Sequence, residues 1–76
     1  MNRGLLVQQV LNKLRLTQRE FAIILKVNPS AVSKWISGTD YLRDERVFQL
    51  KYYVDKNIGR EASNIMFAPI LKEIEG

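Results

Sequence analysis

Four small or charged polar side chains that could carry recognition stand close together: Ser30, Ser33, Lys34 and Ser37. At about 100° per residue they fall on one side of a helix, with Ala31, Val32, Trp35 and Ile36 on the other. Three hydroxyls and one ammonium are groups for recognition rather than for catalysis. The chain has no His and no Cys. An imidazole base, a thiol nucleophile, a disulfide and the commonest zinc ligands are therefore excluded. The acids Asp40, Asp44 and Glu45 gather at a helix start, where carboxylates complement the helix dipole. Read that way, they form no catalytic or metal site. There is no glycine-rich phosphate cradle, so neither an enzyme nor a cofactor is expected. Amphipathicity alone would serve ordinary core packing equally well, and the elements around this helix must decide its use.

Those elements are all helical. Leu6, Val10 and Leu14, with Leu11 beside them, form one apolar stripe and predict a first helix over about Asn2–Leu14. Thr17 followed by Glu20 is a capping box, which opens a second helix over about Gln18–Lys26. Asn28 is a good N-cap, and Pro29 suits the first helical position of a third helix, which Gly38 ends. A fourth helix is predicted over about Arg43–Lys56 with Val47, Leu50 and Val54 buried, terminated by Asn57 or Gly59. The fifth spans Arg60–Glu75 and carries Ile65, Met66, Phe67, Ile70, Leu71 and Ile74. Pro69 lies inside it, which predicts a kink or two shorter helices, since an interior Pro costs about 3 kcal/mol. Strand signals, internal repeats and linkers are absent. The expectation is one all-α domain over 1–76, a compact bundle of about five helices.

Leu16 to Gly38 resembles the helix-turn-helix of Cro and phage-repressor proteins, the lambda-repressor-like fold. Gln18 stands at the glutamine that starts the first motif helix. Ala22 is the small residue that lets the two helices approach. Phe21, Leu25, Val27, Val32 and Trp35 fill the five apolar positions, and Gly38 closes the second helix. One position departs: Lys26 stands where the family usually has Gly with positive φ, which costs another residue about 1 kcal/mol. The resemblance implies a helix-turn-helix over 17–38, formed by the second and third helices, with 43–75 closing the core and offering an interface. It also implies that the third helix enters the major groove of double-stranded DNA. Pro29, Ser30, Ser33 and Lys34 would then face base edges. Gln18 and the N-terminus beside it would hold a phosphate, and Arg19, Thr39 and Arg43 would add backbone contacts. Phe21 and Trp35 are expected in the core rather than stacked on bases.

Charge distribution agrees with that side of the chain. The net charge is +4, with six bases and one acid in residues 1–38 against six bases and seven acids in 39–76. A phosphate backbone would meet the first half. A 76-residue chain buries only roughly 60% of its unfolded surface, so a partner subunit would help it. Tyr52, Tyr53, Met66, Phe67, Ile70 and Ile74 offer more apolar surface than two helices need for such a core and are candidates for that interface. A weak homodimer is expected, with the family's spacing of about 34 Å between reading helices. No apolar run reaches the roughly 18 residues of a membrane span, and no signal segment stands at the start. Met1 and the amphipathic last helix carry the expectation of a complete small protein, cytoplasmic in a bacterial host if phage or prophage encoded.

Two functions remain open. One is a small sequence-specific transcriptional regulator of the Cro or repressor type, a sequence-reading DNA-binding protein. The other is an antirepressor or modulator that uses the same face to bind a larger phage repressor. The second is motivated by a reading face without Arg, Gln or a free in-helix Asn for the bidentate base contacts worth about 1–3 kcal/mol each.

Overall fold

The computed structural model describes residues 2–76, in which five α-helices form and no strand does. They are α1 (Arg3–Leu14), α2 (Gln18–Leu25), α3 (Pro29–Ser37), α4 (Asp44–Asn57) and α5 (Arg60–Glu75). None of them is long and apolar enough to cross a membrane. The backbone groups into two units, Asn2–Tyr41 and Leu42–Gly76.

In the first unit α3 packs against both α1 and α2. The Asn2 side chain caps α1, accepting from the Gly4 amide at 2.8 Å and the Leu5 amide at 3.2 Å. Leu6, Val7, Val10 and Leu11 are the buried side chains of that helix, so the buried stripe includes Val7 and leaves Leu14 only half-buried. Phe21, Ala22 and Leu25 are buried from α2, and Val32 and Trp35 from α3.

The backbones of α1 and α3 approach closely at Gly4. A Cβ there would stand 2.6 Å from the carbonyl oxygens of both Trp35 and Ile36. The first turn of α1 therefore lies directly on the last turn of α3, with no room for any side chain. The arrangement sets the positive end of one helix dipole beside the negative end of another, which is favourable. Arg3 reinforces the junction, its guanidinium 4.5 Å from the centroid of the Tyr41 ring beyond α3, a cation–π contact.

In the second unit α4 packs on α5. Val47, Leu50 and Val54 are fully buried, as their spacing predicts, together with Leu42. The α4 helix ends one residue later than expected, at Asn57, and Gly59 takes φ 126° to begin α5. Of the predicted kink or pair of shorter helices, the split does not occur: Arg60–Glu75 is one helix with Pro69 inside it. Proline withholds the N–H that the Ile65 carbonyl would have received. Ile65 is 74% exposed, so water can reach that carbonyl and the helix continues.

Among the described residues, Ser63 is the one polar residue with a fully buried side chain. The Lys51 ammonium donates to Asp55 at 3.0 Å, to Ser63 Oγ at 3.4 Å and to Asn64 Oδ1 at 2.8 Å. The Ser63 hydroxyl, and after it Lys51, hold the Asp55 carboxyl below the ordinary aspartate range.

Two outcomes follow. Gly4→Ala destabilises the protein by about 1–3 kcal/mol, the range for overpacking, because the obstacle is backbone that cannot rotate away; chemical denaturation measures it. Asp55 has a depressed folded-state pKa, so its contribution is present above the unfolded pKa of about 3.9 and is lost as pH falls through the lower folded value. Ser63→Ala moves that pKa back towards the ordinary range, and the stability difference from the parent protein narrows on acidification below about pH 4. Carboxyl NMR titration together with unfolding at several pH values reads both effects.

Candidate nucleic-acid interface

The polar face of α3 is built from its N-terminal cap outwards. Asn28 Oδ1 accepts from the Ser30 amide and from the Ser30 hydroxyl, both at 3.0 Å. Pro29 follows at the first helical position. Val32 and Trp35 are buried beneath, while Pro29, Ser30, Ser33, Lys34 and Ser37 are exposed. The sequence-predicted base-facing residues thus share one open face. They are not equally available. The Ser30 proton is engaged by Asn28, and Ser37 Oγ donates to the Lys34 carbonyl at 3.2 Å while lying 2.9 Å from Thr39 Oγ1. Among the described residues, the Ser33 hydroxyl and the Lys34 ammonium have no hydrogen bond or ion pair to the protein.

At the start of α2 the expected capping box forms. The Glu20 amide donates to Thr17 Oγ1 at 3.1 Å, and the Thr17 amide to Glu20 Oε1 at 2.9 Å. The amide and then the hydroxyl of Thr17 hold the Glu20 carboxyl below its ordinary range. Gln18 and Arg19 stand exposed in the first turn, with side chains unpaired among the described residues. The capping box takes the Thr17 and Glu20 amides, which leaves the Gln18 and Arg19 amides of that turn for an anion. Thr39 is exposed on the same unit, in the loop after α3. Arg43 belongs to the second unit, where it occupies the N-cap position of α4 without a side-chain capping bond.

Charge concentrates on the first unit. Residues 2–41 hold six bases and two acids, whereas residues 42–76 hold six of each, so the whole formal excess of +4 lies with α1–α3. Among the described residues, no three His, Cys, Asp or Glu are grouped so as to hold a metal ion.

The proposed apolar interface needs correction. Phe67 and Ile70 are fully buried and belong to the core. With Ser63 they form one stripe at spacings of four and three, the repeat of a single helix face. Tyr53, Met66 and Ile74 are half-buried, and only Tyr52, 55% exposed, stands clear. Sequence reasoning missed Phe48, which is 47% exposed one turn before Tyr52. The signal was available, since Phe48 and Tyr52 lie across the helix from Val47, Leu50 and Val54.

Between α2 and α3 run three residues, Lys26, Val27 and Asn28. Lys26 adopts φ 58° and ψ 44°, the left-handed conformation. Its amide donates to the Ile23 carbonyl at 3.2 Å, and the Val27 amide donates to the Ala22 carbonyl at 2.9 Å. This is a Schellman closure with lysine where glycine is usual. Arg15 closes α1 in the same way at φ 56°. Both are cations at a helix C-terminus, where positive charge is favourable and offsets part of the backbone strain.

No protein family, curated protein or solved structure matches the chain.

Lys26→Gly relieves the left-handed strain and stabilises by about 0.5–1 kcal/mol, net of glycine's greater unfolded-state freedom. Thermal unfolding should show a midpoint higher by a few degrees. An unchanged or lower midpoint would mean that the lysine charge at the helix end outweighs its backbone cost.

Proposed function

We propose that this chain is a small DNA-binding transcriptional regulator of the phage Cro or repressor type. Its helix-turn-helix is formed by α2 and α3, and α3 enters the operator major groove. The observation that carries the reading is the α3 face: an exposed row of small polar residues and one unpaired lysine, on a helix anchored from beneath by Val32 and Trp35. Small side chains allow close entry into a groove, and Lys34 can donate to guanine O6 and N7. The positive excess of residues 2–41 supports contact with phosphates, as does the open first turn of α2 beside Gln18 and Arg19. Thr39 completes the proposed backbone contacts on this unit. In this reading Pro29, Ser30, Ser33 and Lys34 meet base edges.

The second reading has a specific observation in its favour. Several hydroxyls of the face are already bonded locally, Ser30 to Asn28 and Ser37 to Thr39, which leaves few groups to discriminate bases. A protein partner such as a larger repressor needs no such code, and a modulator that grips one would use the same face.

Selection of bound duplexes from random-sequence DNA, at low and moderate salt, separates the two. The regulator enriches a motif, and its affinity falls steeply with salt because phosphate neutralisation supplies much of it. Lys34→Ala relaxes preference at one base pair by about 1–3 kcal/mol, whereas Gln18→Ala weakens all sequences alike. Motif-free, weak binding together with a stoichiometric complex with a repressor would replace the first reading by the second. Unchanged affinity and preference in Lys34→Ala would remove that residue from the reading face.

A further inference from the structure

The polar face of α3 has no Asn, Gln or Arg of its own that could meet a base edge through two atoms, yet Asn28 and Ser30 supply such a pair between them. Asn28 Oδ1 accepts from the Ser30 amide and from the Ser30 hydroxyl, both at 3.0 Å. A backbone N–H can only donate, so the atom it meets is the side-chain carbonyl oxygen, and the orientation of the Asn28 amide is settled. Both lone pairs of that oxygen are engaged. Asn28 Nδ2 keeps its two N–H donors, without a partner among the described residues. The Ser30 hydroxyl has one proton and has given it to Asn28, which leaves only its lone pairs for any further partner. Both residues are exposed, as is Pro29 between them. A fixed donor and a fixed acceptor are therefore tied to the same oxygen atom.

In the major groove such a pair suits one base. Adenine presents an acceptor, N7, beside a donor, its N6 amino group. Guanine presents acceptors at both N7 and O6, so its O6 would oppose the Ser30 lone pairs. Cytosine has an amino donor for Ser30 but nothing for Asn28, and thymine O4 can take an Asn28 proton but leaves Ser30 without a donor. The complementarity is that of a single Asn or Gln amide for adenine, divided between two side chains. Both are held before DNA arrives, so little conformational freedom is lost on contact. The engaged serine is thereby the more selective one. Ser33, whose hydroxyl is free to turn, can donate or accept and distinguishes bases less.

We propose that Asn28 and Ser30 jointly read one adenine of the operator, Asn28 Nδ2 donating to N7 and Ser30 Oγ accepting from the N6 amino group. The inference rests on the DNA-binding reading and deepens it, by naming a base and by giving the residue that caps α3 a part in reading it.

Selection from random-sequence duplex DNA, with the full chain and two variants, tests it. Asn28→Asp still accepts from the Ser30 amide and hydroxyl but has no Nδ2 donor, whereas Ser30→Ala keeps the cap and removes the acceptor. Each should lower the preference for adenine at one and the same position about tenfold, and Lys34→Ala should act at another position. Circular dichroism checks that the variants keep their helix content. Base analogues probe the atoms in the parent protein, where folding is not in question. With 7-deazaadenine at that position, which lacks N7, the parent should bind about tenfold more weakly, while Asn28→Asp binds it as it binds adenine. With purine, which lacks the N6 amino group, the parent should lose as much and Ser30→Ala nothing. An enriched motif whose adenines neither variant affects, or a parent protein indifferent to both analogues, would overturn the proposal and leave the DNA-binding reading standing. The absence of any enriched motif would remove that reading and this inference with it.

Discussion

The first unit depends on a contact between two backbones. At Gly4 the opening turn of α1 meets the Trp35 and Ile36 carbonyls with no space for a Cβ. Side-chain packing can relax around a substitution, but a carbonyl fixed in a helix cannot. The contact thereby sets the distance and angle between the start of α1 and the end of α3. Everything that α3 presents follows from that seat. With Trp35 and Val32 buried and the last turn fixed against α1, the Ser30, Ser33 and Lys34 side chains have only one direction left to face. On its other flank Ala22, fully buried, keeps α2 close, and the Schellman turn at Lys26 brings the chain round in three residues.

In the proposed regulator, such a rigid seat would let a modest set of polar groups act in recognition. Hydroxyls are weak discriminators unless held at a fixed position, because ordering a mobile side chain costs entropy that a single hydrogen bond barely repays. Here Asn28 fixes Ser30, and the Ser37–Thr39 pair fixes the end of the face. Lys34 is the exception, a charge on a flexible stem. Electrostatic attraction is less sensitive to position than hydrogen bonding, so on the proposed reading the lysine would contribute attraction where the engaged hydroxyls contribute little. The positive charge of residues 2–41 would act at longer range and without sequence preference.

Much of the fold was legible in the sequence, for reasons visible in individual residues. The capping box at Thr17 and Glu20, the Asn28-Pro29 start and the stop at Gly38 are local devices, and each appears where the sequence predicts it. The stripe Val47, Leu50, Val54 was equally plain, because the aliphatic residues of α4 all fall on it at helical spacing. What escaped was non-local. Nothing in the neighbourhood of Gly4 marks it as a contact point, since its partners lie more than thirty positions away. The left-handed closure at Arg15 also escaped, because it goes against residue preference; at Lys26 the resemblance had already marked a positive-φ position, and the chain places a cation there where glycine would be easier. The exposed α3 face was legible as a pattern, but which of its hydroxyls are already bonded was not.

The α5 helix shows how one apolar residue can stand off the buried stripe. At about 100° per residue Phe67, Ile70, Leu71 and Ile74 fall within about 100° of one another with Met66 at their edge, and Ile65 stands nearly opposite. The structure buries Phe67 and Ile70 and leaves Ile65 among the most exposed residues of its kind. It also buries Ser63, a polar residue, in preference to Ile65. Position decides this: Ser63 lies one turn before Phe67 on the same stripe, and Ile65 lies nearly opposite. A buried hydroxyl without a partner would cost about 1–3 kcal/mol, yet Ser63 meets the Asp55 carboxylate and the Lys51 ammonium of α4. The same inversion accommodates Pro69, whose missing N–H falls on the exposed side of the helix. Geometry thus assigns the burial, and the polar residues that geometry buries are those for which the neighbouring helix supplies partners.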